Sequence, residues 1–135
     1  MFTEYKNMPT IIKEKTDLKF EPIHLSDLTE ITDLYFARSE KENKNFEQSK
    51  LTEEFGFPVY KLVEGNLIIG YSYFTIDVSD EIVFKAIINP EYSFGDLENR
   101  FINHSKQKYF SQKEPDRKGM KNSINRIVDW LNWSR

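Results

Sequence analysis

The sequence contains no cysteine. That excludes disulfides, a thiol nucleophile and any thiolate metal site. Its two histidines, His24 and His104, stand far apart with no ligand spacing around either, so a metal centre is not expected. No apolar run approaches the roughly 18 residues needed to cross a bilayer. Met1–Lys6 lacks the basic start and apolar stretch of a signal peptide, and the expected location is the cytoplasm. There is no Gly-x-Ser-x-Gly, no Walker loop and no paired-glycine dinucleotide motif. Internal repeats and low-complexity stretches are also missing.

What is present suits one domain over residues 1–135. Hydrophobic content is only 39%, but 11 Phe and 7 Tyr bring aromatics to 15%, so a few large rings can supply much of the buried area. Charge is uneven. Residues 105–135 carry eight Lys/Arg against Glu114, Asp116 and Asp129, a net of +5, while the other residues sum to −8. The plain reading of this basic tail is a solvated face. The acidic remainder argues against general nucleic-acid binding.

Along the chain, residues 1–17 give no clear pattern beyond a short strand near Ile11 and Ile12. Leu18–Ile23 alternates apolar and polar residues, as a half-buried strand does, and Pro22 marks an edge. Ser26 and Asp27 are helix-capping residues, followed by Leu28, Ile31, Leu34 and Tyr35 at helical steps. A second, weaker helix is expected over Phe46–Phe55, with Leu51 and Phe55 on one face and Gly56 ending it. Val59–Val63 and Leu67–Ile76 flank Glu64-Gly65-Asn66 as a hairpin. Gly70 inside the second of these strands predicts a bulge or a close backbone approach.

Glu81–Asn89 reads as the next strand. Ile82, Phe84, Ala86 and Ile88 face one side, and Val83 and Ile87 flank Lys85 on the other. Two apolar faces predict a central strand covered on both sides. Asp96 then caps a helix carrying Leu97, Phe101 and His104 on its inner face. Residues 106–117 look irregular, with a short strand near Lys108–Phe110 as one option. Gly119-Met120 precedes a last helix whose stripe is Ile124, Ile127, Val128 and Leu131, widened by Trp130 and Trp133.

This order, with Ile23–Ile31 entering the first helix, the Phe57–Tyr71 hairpin, and Ile87-Ile88-Asn89-Pro90-Glu91-Tyr92 closing the fourth strand, resembles the GNAT superfamily of acyl-CoA N-acyltransferases. The resemblance covers about residues 18–107. It implies an α/β fold with a mostly antiparallel sheet of four or five strands flanked by helices, shortened in its C-terminal half. It also implies an acyl-CoA-dependent N-acetyltransferase taking acetyl-CoA as cofactor. The backbone of Ile87, Ile88 and Asn89 would then pair with the pantetheine arm, and the loop Ser93, Phe94, Gly95 and Asp96 would meet the phosphates. The family loop has the form Arg/Gln-x-x-Gly-x-Gly/Ala; here the segment is Tyr92–Glu98, with one glycine. Glu91, Asp96 and Glu98 put carboxylates where a pyrophosphate would lie, and Asp96 is expected to satisfy the helix start itself. The resemblance implies no assignable catalytic residue here, since the family's usual tyrosine acid falls in the shortened part.

A non-catalytic module of the same fold is the alternative, binding a protein partner or forming a homodimer through an open fourth-strand edge. Glu81, at the start of that strand, is a candidate base, although a strand-end glutamate ordinarily faces water. Tyr109, Phe110, Trp130 and Trp133 beside basic residues could stack on bases, but a core or dimer contact is the simpler use of tryptophans on an apolar stripe.

Overall fold

The computed structural model describes residues 18–41, 50–92 and 94–134. Four strands form one antiparallel sheet in the order β1 (Leu18–Pro22), β2 (Phe57–Glu64), β3 (Leu67–Ile76) and β4 (Ile82–Ile88). Three helices accompany it: α1 (Leu28–Lys41), α2 (Leu97–Gln112) and α3 (Arg117–Ser134). The fold is therefore α/β with a fully antiparallel four-stranded sheet among the described residues. The strand near Ile11 and Ile12 lies outside them.

Strand register sorts the side chains into two faces. Phe20 opposes Leu62, Tyr60 opposes Ser72, Ser72 opposes Ala86, and Phe74 opposes Phe84. All of these lie on the face that α2 covers. Phe20 packs on Phe101, and Phe74 and Phe84 pack on Tyr109, at ring separations of 4.9 Å, 5.2 Å and 6.0 Å. A buried polar bridge fixes the helix to the sheet, with the Ser72 and Ser105 hydroxyls 2.6 Å apart. Ser72 accepts the Tyr60 N–H and lies within reach of the Tyr60 carbonyl, and Ser105 lies within reach of the Phe101 carbonyl, so either hydroxyl can donate across the bridge. The opposite face presents Tyr71, Tyr73 and Ile87 to Ile31 and Phe55.

Three sequence expectations need correction. First, Phe46–Phe55 does not form a helix over its described part, since only Glu53–Phe55 coils, as a single 3-10 turn. Asn132 of α3 accepts from the Leu51 N–H and donates to the Leu51 carbonyl, at 2.9 Å each, which holds that backbone out of a helix. Residues 46–49 lie outside the described part. Second, residues 106–112 and the Lys108–Phe110 segment are helical, not irregular or extended. Tyr109 continues the Phe101–Ser105 row of α2, and its ring is needed against Phe74. Third, Trp130 and Trp133 do not widen the apolar stripe of α3. They are 47% and 85% exposed, while Met120, Ile124, Val128 and Leu131 are buried. The helix also starts earlier than Gly119-Met120, at Arg117, with the Asp116 carboxylate accepting the Gly119 N–H.

Other readings hold. Pro22 does end an edge strand. A side chain on Gly70 would meet the Ile87 carbonyl oxygen at 2.8 Å, so glycine there permits the close approach of β3 to β4. His104 sits half-buried against Phe20 and Tyr60, with ring separations of 5.0 Å and 5.3 Å. Burial, with help from Lys108, holds its pKa below the ordinary 6.5. The folded chain therefore binds this proton less tightly than the unfolded chain. Stability should fall as pH drops below the unfolded value, and stop falling once the folded value is passed. His104→Phe keeps a ring in place and removes the titration. The slope of Tm between about pH 7 and 5 should flatten in this variant, and an unchanged slope would assign the titration elsewhere.

Candidate functional site

The site begins with backbone chemistry. Antiparallel neighbours alternate between hydrogen-bonded and non-bonded pairs. The Asn89 N–H donates to the Ile69 carbonyl at 2.8 Å, and the register continues without a shift from Gly70–Ile88 to Ile76–Ile82. Ile87, Lys85 and Val83 therefore direct their N–H and C=O groups at β3. Ile82, Phe84, Ala86 and Ile88 direct theirs away from it. β4 ends the sheet order, and among the described residues no strand pairs with those outward groups. The strand is covered on both faces, but it is an edge and not a central strand. Its apolar composition reflects the helices above and below it.

A cavity of about 740 Å³ follows this edge. Tyr35, Arg38, Tyr73, Lys85 and Ile87 line it on the α1 side. Phe84, Ala86, Glu98 and Ile102 line the α2 side, and Glu53, Glu54 and Asp77 lie toward the start of β4. A smaller cavity of about 190 Å³ sits at the other end of the strand, between Leu34, Ala37 and Arg38 of α1 and the Ile87–Pro90 segment. Ile87 lines both cavities. The cleft thus opens on both sides of one strand edge, where the outward backbone groups of β4 meet the exposed charged side chains of Arg38, Glu53, Glu54, Asp77, Lys85 and Glu98.

The proposed cofactor residues are only partly brought together. Ile87 is a cleft residue by its side chain, but its backbone is engaged with β3. Ile88 turns its backbone N–H and C=O away from β3, and its side chain is buried. The Asn89 N–H is taken by Ile69, and its side-chain oxygen accepts the Glu91 N–H at 3.0 Å. Pro90–Tyr92 forms a 3-10 turn, and the Tyr92 hydroxyl donates to Glu64 at 2.7 Å. Ser93 lies outside the described residues. Phe94 is exposed, and its carbonyl accepts the Leu97 N–H. Gly95 has φ +55° and open space around it.

Asp96 stands at the helix start, yet its side chain does not cap it. Instead the carboxylate accepts from the Arg100 Nε at 3.1 Å, one turn on, in an exposed pair. The expectation that Asp96 satisfies the helix start is corrected on this point, because the i, i+4 cation competes for the carboxylate. Glu98 is exposed and lines the main cleft. Glu81 pairs with Arg117 at 3.5 Å, both exposed, which is a surface tie between β4 and α3.

Sequence reasoning missed the α1 wall of the cleft. Tyr35 was visible only as one of a helical stripe, and Arg38 carried no signal. Lys85 did carry one, as the single charge within an apolar strand. Tyr71 is buried opposite Ile87, with a hydroxyl that has no hydrogen-bond partner among the described residues. Burial pushes its pKa well above the ordinary 10.0, and Tyr73 and Tyr35 add to the rise.

Among the described residues, no group of three or more His, Asp or Glu is placed to hold a metal ion, and no helix is long and apolar enough to cross a membrane. No protein-family model, curated protein or solved structure matches this chain.

Proposed function

We propose that this chain is a GNAT-like, non-catalytic interaction module that takes an extended segment of a partner protein as an added strand along β4. The observation that supports it is the row of outward backbone groups at Ile82, Phe84, Ala86 and Ile88, bordered by a cleft on both faces. An added strand finds hydrogen bonds from the edge and side-chain room on either side.

Self-pairing is the less suitable use of this edge. Lys85 is the middle residue of Ile82–Ile88, so two fully overlapped copies would put Lys85 directly opposite itself. Like charges so placed are destabilising, and an edge lysine is a common protection against such pairing.

A peptide of alternating valine and glutamine tests the reading. At millimolar concentration it should shift the amide resonances of Ile82, Phe84, Ala86 and Ile88 more than those of Val83, Lys85 and Ile87. Ala86→Pro removes one outward donor while sparing the ladder to β3, and should abolish these shifts. Ile88→Pro at the strand end serves the same purpose if Ala86→Pro does not fold. Shifts that survive the proline, or that fall elsewhere, would refute edge pairing.

A second reading is favoured by the same edge. The pantetheine arm of acetyl-CoA carries amides that could pair with β4, which is the acyltransferase reading. Against it stand Glu91, Asp96 and Glu98 around the expected phosphate position. Exposed pairs of like charge cost on the order of 1 kcal/mol each, and more when desolvated. Calorimetry with millimolar acetyl-CoA should give no binding heat. Binding that Gly95→Glu eliminates would restore the acyltransferase reading.

A further inference from the structure

We infer that the exposed face of α3 pairs two copies of this chain as an antiparallel helix dimer. The contact uses no residue of β4, so it stands or falls apart from the strand-pairing reading. Helical spacing sets the face. Met120, Ile124, Val128 and Leu131 are buried in the core. That leaves Asn122, Arg126, Asp129 and Trp133 in one row on the opposite side of the helix. All four are exposed, and Trp130 is exposed beside them. Tryptophan and arginine are the residue types that most often anchor protein contacts. Both tryptophans of the chain lie on this face.

The row is self-complementary. Its steps are four, three and four residues, the spacing of a helix–helix seam. A second copy can run antiparallel about a two-fold axis midway between Arg126 and Asp129. Arg126 then faces Asp129 of the second copy, and Asp129 faces its Arg126. Asn122 and Trp133 face each other in the same way. A parallel copy would instead set Arg126 against Arg126 and Asp129 against Asp129. Among the described residues neither of these two charges has an ion-pair partner in its own chain, so both are available. Trp130 flanks the seam next to Arg126 of the second copy, where the guanidinium can stack on the indole.

Charge also chooses among occupants. Arg126 and Asp129 cancel, whereas an anionic membrane or a nucleic acid would meet Asp129 as a like charge in the middle of the row. A contact of about three helical turns is smaller than a standard interface, so the dimer is weak, with a Kd of about 100 µM.

Sedimentation equilibrium of the full chain, from about 10 µM to about 1 mM, should follow a monomer–dimer equilibrium. Tryptophan emission should shift to the blue over the same range, because both indoles enter the contact. Arg126→Asp should weaken the dimer about tenfold, since symmetry turns both ion pairs into like-charge pairs. Asp129→Arg should do the same. An equimolar mixture of the two single variants should dimerise at least as tightly as the native chain, because every facing pair is again of opposite sign. Both substitutions are at exposed positions, which the fold tolerates.

A chain that stays monomeric at about 1 mM overturns the inference, and so does a dimer that neither charge reversal weakens. A mixture that fails to recover the dimer also overturns it, since Arg126 would then not face Asp129. A blue shift on anionic phospholipid vesicles by a chain that remains monomeric would assign the face to a lipid surface instead.

Discussion

Asp27→Ala should destabilise the folded chain by about 3–5 kcal/mol, a large share of the stability expected of a domain this size. Asp27 closes the turn that leads into α1, where its carboxylate accepts the His24 N–H at 2.8 Å. The same carboxylate binds the Lys61 ammonium of β2 at 2.8 Å, with both side chains only 12% exposed. Burial pushes the Asp27 pKa up, but the bonds from Lys61 and His24 outweigh it and leave it below the ordinary 3.8. Removing the carboxylate takes from a largely buried ammonium its hydrogen-bonded counter-charge.

Urea melts measure the loss. Asp27→Ala combined with Lys61→Met should recover much of it, because no charge is then left unpaired. The pair's contribution should be complete above the ordinary carboxyl pKa and decline as pH falls through the lowered value. A loss under about 1 kcal/mol would mean that the pair behaves as an exposed surface ion pair.

Gly56→Ala should cost about 3 kcal/mol or more, for reasons of backbone shape. Gly56 has φ +72° and ψ −162°, a region that residues with a side chain rarely occupy. It ends the 3-10 turn at Glu53–Phe55 and delivers the chain into β2. A Cβ there would meet the Phe74 carbonyl oxygen at 2.5 Å and the Tyr73 ring at 2.8 Å. The carbonyl belongs to β3, an inner strand of the sheet, and cannot move without disturbing the ladder. Strain and overpacking therefore add. Thermal unfolding of Gly56→Ala beside Gly65→Ala separates these effects. Gly65 also has positive φ, but nothing lies within 4 Å of its added Cβ, so it should lose only the conformational part. Equal losses at both sites would show that contact with β3 does not matter.

Much of the fold was legible because its signals are local. The Leu67–Ile76 strand, the Glu64–Asn66 turn and the apolar spacing of α1 and α3 each sit within a few consecutive residues. What could not be read depended on distant partners. Leu51 is held by Asn132, so a helix-like spacing of Leu51 and Phe55 became an extended segment and one turn. Tyr109 is helical because Phe74 and Phe84 wait for its ring. Asp96 had the right residue type for a cap, but Arg100 drew its carboxylate away. The cleft was the least legible part. Periodicity could place Phe84 and Ala86 on one face and Lys85 on the other, but two apolar faces look the same on a central strand and on an edge. Only the strand order separates them.

The Asn132–Leu51 clasp also bears on how the chain assembles. Each pairing in the sheet joins strands that are consecutive in the order β1 to β4, and both β2–β3 and β3–β4 close through short turns. Such contacts form at small entropic cost and favour quick folding. The clasp joins residues 81 positions apart. It is one of the longest closures in the molecule, and it ties α3 to the segment that feeds β2. On these separations the hairpins are expected to form first, and α3 to draw the Leu51–Gly56 segment against Phe74 afterwards. The packing of the core would then be completed from α3, after the sheet has taken its register.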